Sequence, residues 1–344
     1  MKKLIPLFII SFVCLTSQAA IYRVNNNPGT AAQYSVAQTA HNACNAGDTL
    51  YIEGSTISYG ILTITKKINI IGPGYFLAQN PQTQVNPSTA WFNQIICNTG
   101  SAGTYLTGLQ MYYLSLADNN IVLKRNYIIN NGSYNNAGIN VNSNSSNDLI
   151  VQNYITSNNN CGNACAPLYI TSGSSNITVA NNIIQNTGGG YDVVYVDPGA
   201  SAIITNNTIL GTLNSYTTIN NSTFNNNILN ISGAVMSGSN NSMNNNISNV
   251  AQLDTTNHNA HNNQINVNMG IVFVGVGSTD GQYKLKAGSS AIGAGFSGED
   301  CGAFGGSDPY VLSGMPTVPS VYFFAAPTSG SGTLPVHVKI KSNK

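Results

Sequence analysis

The chain has 344 residues, of which 42% are apolar and only 7% are Asp, Glu, Lys or Arg, where about 25% is usual. The apolar fraction is enough for a large core, and a formal net charge of +1 provides no long-range field that would attract a polyanion. The sequence has no basic stripe interleaved with aromatic residues, which argues against nucleic acid as a partner. We therefore expect a neutral or weakly charged ligand.

The first twenty residues have the pattern of a secretory signal peptide. Two lysines precede an apolar run, and small residues at Ser17 and Ala19 predict cleavage after Ala19 or Ala20. Cys14 raises the alternative of a lipid anchor, but Val13 is bulky where such a signal has a small residue. No later run approaches the ~18 apolar residues that span a bilayer. The expected mature chain is secreted, or held at the cell surface by other means, without a membrane span.

Export to an oxidising compartment favours disulfides for the five remaining cysteines. Cys161 and Cys165 are close enough to bridge within one loop, whereas a zinc pair would need a second pair of ligands that does not follow. Cys44 and Cys97 could form a second bridge. Cys301 is then left without an assigned partner.

Asparagine marks a repeat: 41 of the 52 asparagines lie between Asn119 and Asn268. The phrase Asn-x-Ile recurs at steps of 27, 29, 25, 19 and 19 residues, each time preceded by an apolar residue in a strand-type alternation. Irregular steps without a helical period favour a parallel β-solenoid, because insertions can loop outward without breaking the stack. The six anchors are Asn126, Asn153, Asn182, Asn207, Asn226 and Asn245.

Asparagine has two physical roles in such a stack. It tolerates the positive φ of sharp corners, and its side-chain amide can donate and accept hydrogen bonds along the solenoid axis as a ladder. Most of these residues are therefore expected to be scaffold.

The segments "AGDTLYIEG" and "GILTITKKINIIGPGY", with "GQYKLKAGSSAIGAG" and "DCGAFGG" downstream, resemble the opening and closing turns of secreted bacterial right-handed parallel β-helix proteins of the pectin-lyase-like superfamily. Ser290-Ala291-Ile292-Gly293 departs from the Ser-Pro-Ala-Ile-Asp that such proteins often carry. The resemblance covers about residues 21–306. It implies an all-β, right-handed parallel β-helix (β-solenoid), with an N-terminal helical cap that we place within Ala31 to Gly54.

Three regions are expected: a signal peptide (1–20), the β-helix with its N-terminal cap (21–306), and a Gly/Pro-rich C-terminal β cap or tail (307–344). Apolar strands at 321–325 and 336–340 could form a hairpin that closes the last coil, or belong to an export or attachment tail. Alternation predicts a half-buried strand with His337, Lys339 and Lys341 on its wet side.

The resemblance implies a Lys or Arg base and acidic calcium ligands in the lyases of the superfamily. Lys124 and Arg125 are the only basic pair in the central coils, and the alternative for them is a solvated corner. The hydrolase motifs Asn-Thr-Asp, Asp-Asp, Gly-His-Gly and Arg-Ile-Lys are absent. No cofactor is expected, and calcium would be required only by a lyase.

Two further groups of titratable residues do not form an expected site. Asp192 and Asp197 are five residues apart, so an undistorted strand directs them to opposite faces, and they should not form an acid/base pair. His258 and His261 have a spacing that suits metal binding on a helix but not on an Asn-rich strand or loop, so we expect no metal there.

The strands "GINVN", "PLYIT" and "VVYVD" predict a ligand-binding face. If their aliphatic residues point inward, one outward column contains Asn140, Tyr169 and Tyr195, and the next contains Asn142, Thr171 and Asp197. A sugar ring could pack on the tyrosines while its hydroxyls bind the polar neighbours. The alternative is cross-strand aromatic packing that only stabilises the face.

The sequence predicts a non-catalytic extracellular β-helix that binds glycan through Tyr169, Thr171, Tyr195 and Asp197. The first alternative is a lyase-like enzyme that acts on uronic-acid polysaccharide, with Lys124, Arg125 and Asp197 as candidate catalytic residues. The second is a purely structural or self-associating surface solenoid.

Overall fold

The computed structural model describes residues 19–132, 136–159, 161–212, 215–232, 236–250, 253, 258–328 and 332–343. Residues 1–18 of the expected signal peptide lie outside the described residues. In the described part of the chain, no helix is long and apolar enough to cross a membrane.

Nearly all regular structure is short β-strand, as the sequence predicts. Among the described residues one α-helix, α1, spans Ala37–Ala43, and single 3-10 turns lie at Asn163–Cys165, Met269–Ile271, Gly281–Tyr283, Phe296–Gly298 and Leu312–Gly314. The described strands are β1 (Ile21–Val24), β2 (Thr49–Ile52), β3 (Ile61–Ile64), β4 (Asn69–Ile71), β5 (Ala90–Cys97), β6 (Tyr105–Thr107), β7 (Leu109–Leu116), β8 (Val122–Lys124), β9 (Tyr127–Asn130), β10 (Ile139–Val141), β11 (Leu149–Val151), β12 (Tyr154–Ser157), β13 (Leu168–Ile170), β14 (Ile177–Ala180), β15 (Ile183–Asn186), β16 (Asp192–Val196), β17 (Ala202–Thr205), β18 (Thr208–Gly211), β19 (Tyr216–Thr218), β20 (Thr223–Asn225), β21 (Ile228–Ile231), β22 (Met236–Ser237), β23 (Asn241–Asn244), β24 (Ile247–Ser248), β25 (His258–His261), β26 (Ser320–Ala325) and β27 (His337–Lys341).

The strands form a three-sided parallel solenoid. Sheet A is the parallel stack β1-β2-β4-β6-β8-β11-β14-β17-β20-β23-β25. The long strand β7 joins two further stacks, limb B1 (β9-β12-β15-β18-β21-β24) and limb B2 (β10-β13-β16-β19-β22). Each complete coil therefore contributes one strand to each side, which confirms the predicted parallel β-solenoid.

The interior is filled by columns of apolar side chains, because alternate strand residues point inward in every coil. Each such side chain contributes roughly 1.5–3 kcal/mol through burial. In sheet A one fully buried column consists of Leu106, Leu123, Ile150, Val179, Ile204, Phe224 and Met243.

Helix α1 packs at the first coils, where the sequence predicts a helical cap. Ala37 and Ala40 are fully buried against the core. The side chain of Gln38 accepts a hydrogen bond from the Thr63 backbone nitrogen (2.8 Å) and donates to the Thr63 carbonyl (3.1 Å). These bonds satisfy backbone groups on the edge of β3 that is not paired with another described strand. Capping of exposed strand edges is required at the end of a solenoid.

The corner between sheet A and limb B1 has the same length in the six coils from β8 to β24. Two residues separate the strands, the first with a left-handed backbone (φ 54° to 60°) and the second an inward-facing asparagine. The left-handed residues are Arg125, Gln152, Asn181, Asn206, Asn226 and Asn245, followed in the last coil by Asn262. The inward asparagines, which we call the asparagine ladder, are Asn126, Asn153, Asn182, Asn207, Asn227, Asn246 and Asn263.

The repeat predicted from the sequence is wrong by one residue in two coils. Pairing of Thr208 with Ile228 and of Ile228 with Ile247 places Asn227 and Asn246 in the ladder. The predicted anchors Asn226 and Asn245 instead occupy the left-handed position. The sequence Asn-Asn-Asn-Ile allows both registers, and the Asn-x-Ile pattern selects the wrong one.

The C-terminal part of the chain covers limb B1 on its outside. The described parallel strands end at His261, and the stretch 281–306, which resembles closing turns, packs against the outer face of the stack. A second core forms there from outward residues of limb B1 and residues of the C-terminal part. Its members include Tyr154, Ile183, Ile228, Ile247, Phe273, Ala291, Cys301, Ala303 and Tyr310.

Residues 290–315, the returning segment, lie along the corner between sheet A and limb B1 in the direction opposite to the coil order. The outward side chains of the left-handed corner residues bind its backbone carbonyls. The contacts are Asn245 to Ala294 (3.1 Å), Asn206 to Asp300 (3.2 Å), Asn181 to Gly305 (2.7 Å), Gln152 to Pro309 (2.7 Å) and Arg125 to Met315 (2.9 Å).

The hairpin of β26 and β27 forms as predicted, but it does not close the last coil. Its base binds an early connection, since the Val85 nitrogen donates to the Val321 carbonyl at 2.9 Å. The expectation of a half-buried strand is also wrong, because Val338 and Ile340 are 46% and 63% exposed. Alternation along β27 correctly predicts that His337, Lys339 and Lys341 share one face of the strand. It does not show whether other residues pack on the opposite face, and none of the described residues buries it.

The cysteines follow the prediction only in part. Cys161 and Cys165 form a disulfide, with Cα atoms 5.7 Å apart. The second bridge is wrong: Cys44, Cys97 and Cys301 are free and buried. The Cys44 thiol donates to the His41 carbonyl at the end of α1, whereas Cys97 points into the core from β5.

Peptide mapping of protein from an oxidising compartment is expected to recover Cys161 and Cys165 in one linked peptide. Cys44, Cys97 and Cys301 are expected to react with a thiol reagent only after denaturation, because all three are buried. Recovery of Cys161 and Cys165 as free thiols before reduction would contradict the pairing.

Candidate functional site

Limb B2 displays the predicted tyrosine column on its outer side. Strand pairing aligns Asn140 with Tyr169 and Tyr169 with Tyr195, and all three are partly exposed. The intervening aliphatic residues, Ile139, Val141, Leu168, Ile170, Val194 and Val196, are fully buried. The alternation predicted from the sequence is therefore confirmed. We call Asn140, Tyr169, Thr171, Tyr195 and Asp197 the tyrosine face.

The two tyrosines do not form a flat stack. Their ring centroids are 5.3 Å apart and the ring planes are inclined by 53°, so the two rings form a tilted pair. Such tilted pairs stabilise a sheet face, and they also present ring surface to a ligand.

Polar groups of the tyrosine face are held in place by one another. The Tyr169 hydroxyl donates to Asp197 Oδ2 at 2.9 Å, and the same oxygen accepts the Ser172 backbone nitrogen at 2.9 Å. Burial and, to a smaller extent, the neighbouring carboxylate of Asp197 raise the pKa of Tyr169 to about 12. The Tyr169 hydroxyl therefore remains protonated and can donate a hydrogen bond at neutral pH. The Thr171 hydroxyl donates to Asn140 Oδ1 at 3.3 Å. The site is thus preorganised and carries one surface carboxylate.

Asp192 and Asp197 lie on opposite sides of the solenoid wall, as predicted. Asp192 is fully buried and Asp197 is partly exposed, so the two cannot share a substrate. Burial raises the pKa of Asp192 to about 7 against a smaller lowering by the side chain and backbone of Thr218, and neither carboxyl oxygen has a partner in good hydrogen-bond geometry among the described residues.

The basic pair occupies the corner beneath the returning segment. The Lys124 ammonium lies 2.7 Å from the Asp308 carboxylate. Arg125 is 2% exposed, and its guanidinium donates to Gln152 Oε1 (2.7 Å) and to the Met315 carbonyl. Burial lowers the pKa of Arg125. A solvated corner is therefore wrong for Arg125, and the contacts of both residues favour a structural role.

The histidine pair lies at the last parallel strand, with His258 and His261 at the two ends of β25. The side chain of His261 is exposed. Within the described residues, no group of three or more His, Cys, Asp or Glu side chains converges as a metal site would require.

One tyrosine near the face was missed by the sequence reasoning. Tyr216 begins β19, the strand after β16, and burial, followed by Asp192, Tyr191 and Tyr195, raises its pKa. Strand pairing places Tyr216 opposite Asp192, whereas Thr218 is the residue aligned with Tyr195. The alternation in Tyr216-Thr217-Thr218 was available as a signal for two outward residues, but the register shift between Asp192 and Tyr195 is not visible in the sequence.

Comparisons with known proteins give little further information. No protein-family model matches the chain, and no curated protein matches it. Among solved structures, the chain is similar to the ORF18 protein of Geobacillus virus E2, with a TM-score of 0.38 and 12% identity. The match covers 71% of this chain and 60% of that protein. At this level of similarity no superfamily or activity is transferred.

Proposed function

We propose that the protein is secreted and that it binds extracellular or cell-surface glycan through the tyrosine face without catalysing a reaction. The observation that carries the proposal is the aligned column of Asn140, Tyr169 and Tyr195 beside Thr171 and Asp197. The superfamily resemblance noted in the sequence belongs to the same proposal.

Two properties of the tyrosine face support glycan as the ligand. The rings supply apolar surface for a pyranose, and the neighbouring amide, hydroxyl and carboxylate groups match the hydroxyls of a sugar. The returning segment does not cover this face in the described part of the chain, because it lies at the corner of sheet A and limb B1.

The lyase alternative depends on Lys124 and Arg125 as bases. Their contacts with Asp308 and Met315 leave neither side chain as an uncommitted base, so no observation favours this alternative over binding. Incubation with polyuronate and calcium, followed by ultraviolet absorbance of unsaturated products, tests it directly. Product formation would overturn the non-catalytic proposal.

The double variant Tyr169→Ala/Tyr195→Ala is expected to weaken glycan retention by roughly tenfold or more, because it removes both rings of the pair. Affinity electrophoresis through polysaccharide-containing gels measures the retention. Tyr112→Ala is the matched control, since Tyr112 is another partly exposed tyrosine with a ring contact, 5.7 Å from Trp91.

The double variant should still unfold cooperatively, because the core beneath the face is unchanged. Equal retention by the variant and the original protein would assign the tyrosines to the scaffold. A loss of retention only in proportion to unfolding would lead to the same conclusion.

A further inference from the structure

A groove on sheet A lies around the corner from the tyrosine face. The connections from limb B2 to sheet A become shorter coil by coil: 142–148, 171–176, 197–201, 219–222 and 238–240. The segment 197–201, which we call the ridge, therefore projects beyond the shorter coil that follows. Asn221 holds the ridge by donating to the Pro198 carbonyl (2.6 Å) and the Ala200 carbonyl (3.3 Å).

The step produces an open groove of about 500 Å³. Its lining includes Asn176, Ser201, Ile203, Asn221, Thr223 and Ser242, and all ten lining residues are uncharged.

The groove combines an apolar floor with available polar groups. Ile203 is 41% exposed and supplies the large aliphatic surface of the lining, which we call the floor. The hydroxyls of Ser201 and Thr223 make no hydrogen bond to another described residue, and both residues line the groove. An aliphatic surface between hydroxyl and amide groups is complementary to a sugar ring, which has apolar C–H faces and a polar rim.

The charge distribution restricts the class of glycan. The sequence has no Lys or Arg between Arg125 and Lys284, and this stretch contains both the tyrosine face and the groove. Asp197 is the carboxylate on the tyrosine face, whereas Asp148 and Asp192 are fully buried. A polyuronate placed here would meet the carboxylate of Asp197 and no cation from this stretch, which is electrostatically unfavourable.

We infer that the ligand is a neutral polysaccharide whose chain passes from the tyrosine face over the ridge into the groove of sheet A. This inference rests on the proposed function and names its substrate class. The ridge joins the two surfaces, because Asp197 begins it and Ser201, a groove residue, ends it.

The test compares neutral polysaccharides, namely β-glucan, xylan and mannan, with polygalacturonate and alginate in affinity electrophoresis. At least one neutral polymer is expected to retard the protein at low and high salt, and the polyuronates are not.

Ile203→Asp places a carboxylate on the groove floor and is expected to weaken that retention by about tenfold. Leu149→Asp is the matched control, because Leu149 lies in the same outward column and is 39% exposed, yet does not line the groove.

The outcomes are distinguishable. Retention by polyuronates in preference to neutral polymers would overturn the inference and leave glycan binding intact. Equal retention of Ile203→Asp and Leu149→Asp, with both variants folded by thermal melting, would remove the groove from the path. If no polysaccharide retards the protein, the proposed function fails and the inference fails with it.

Discussion

Replacement of Asn182 by alanine is expected to lower the free energy of unfolding by about 4 kcal/mol, because it breaks the asparagine ladder in the middle of the stack. Asn182 Oδ1 accepts the backbone nitrogen of Asn153 (2.8 Å) and its side-chain amide (3.0 Å). The Asn182 amide donates to the Ile150 carbonyl (2.7 Å) and to Asn207 Oδ1 (3.0 Å). All four residues are fully buried, so the abandoned groups cannot reach bulk water.

Denaturant unfolding measures this effect, with Asn176→Gly as the control. Asn176 is an exposed corner residue with φ 55°, a conformation that glycine adopts freely. Its side chain donates only to Asn147 Oδ1 among the described residues. The control is expected to stay within about 0.5 kcal/mol of the original protein. Similar stability losses in the two variants would show that the ladder contributes no more than a surface amide.

Local patterns were sufficient to predict the solenoid and the tyrosine face. Alternation along "PLYIT" and "VVYVD" is a property of each strand alone, so the outward positions of Tyr169 and Tyr195 follow without knowledge of the rest of the chain. The two roles of asparagine, at left-handed corners and in the ladder, were also predictable. Which of two neighbouring asparagines takes which role was not. In Asn225-Asn226-Asn227 the chemistry of each position is identical, and only pairing with Thr208 selects the register.

Contacts between distant parts of the chain could not be predicted. Arg125 and Met315 are 190 residues apart in the sequence, and no pattern links a corner side chain to a backbone carbonyl. The predicted Cys44–Cys97 bridge is wrong for a related reason: the sequence does not give the distance between a residue at the end of α1 and one in β5. The groove depends on the lengths of successive corners, which become visible only once the strands are aligned.

Two buried carboxyl groups are expected to make the stability of the fold sensitive to pH. Burial raises the pKa of Asp148 and of Asp192 to about 7, from an ordinary value of 3.8. The Ile121 backbone nitrogen donates to Asp148 Oδ1 at 2.8 Å, and Oδ2 has no partner in the described part of the chain. Thr218 lowers the pKa of Asp192 by less than burial raises it, and neither oxygen of Asp192 has a partner in good hydrogen-bond geometry among those residues. A substitution of Asp192 therefore tests more clearly whether the fold is more stable when a buried carboxyl group is protonated.

The variant Asp192→Asn is expected to match the original protein most closely near pH 4 and to gain up to about 4 kcal/mol relative to it at pH 8. Between pH 4 and pH 7, the folded protein retains a proton on Asp192 that the unfolded chain releases. The free energy of unfolding then falls as pH rises, by up to about 1.4 kcal/mol per pH unit, and becomes level above pH 7. Asparagine cannot ionise, so the variant loses this slope, while any cost of its unpaired amide is the same at every pH.

Denaturant unfolding at pH 4, 6 and 8 measures the difference in slope. Parallel pH profiles for the two proteins would show that Asp192 is ionised in the folded state or finds a partner there.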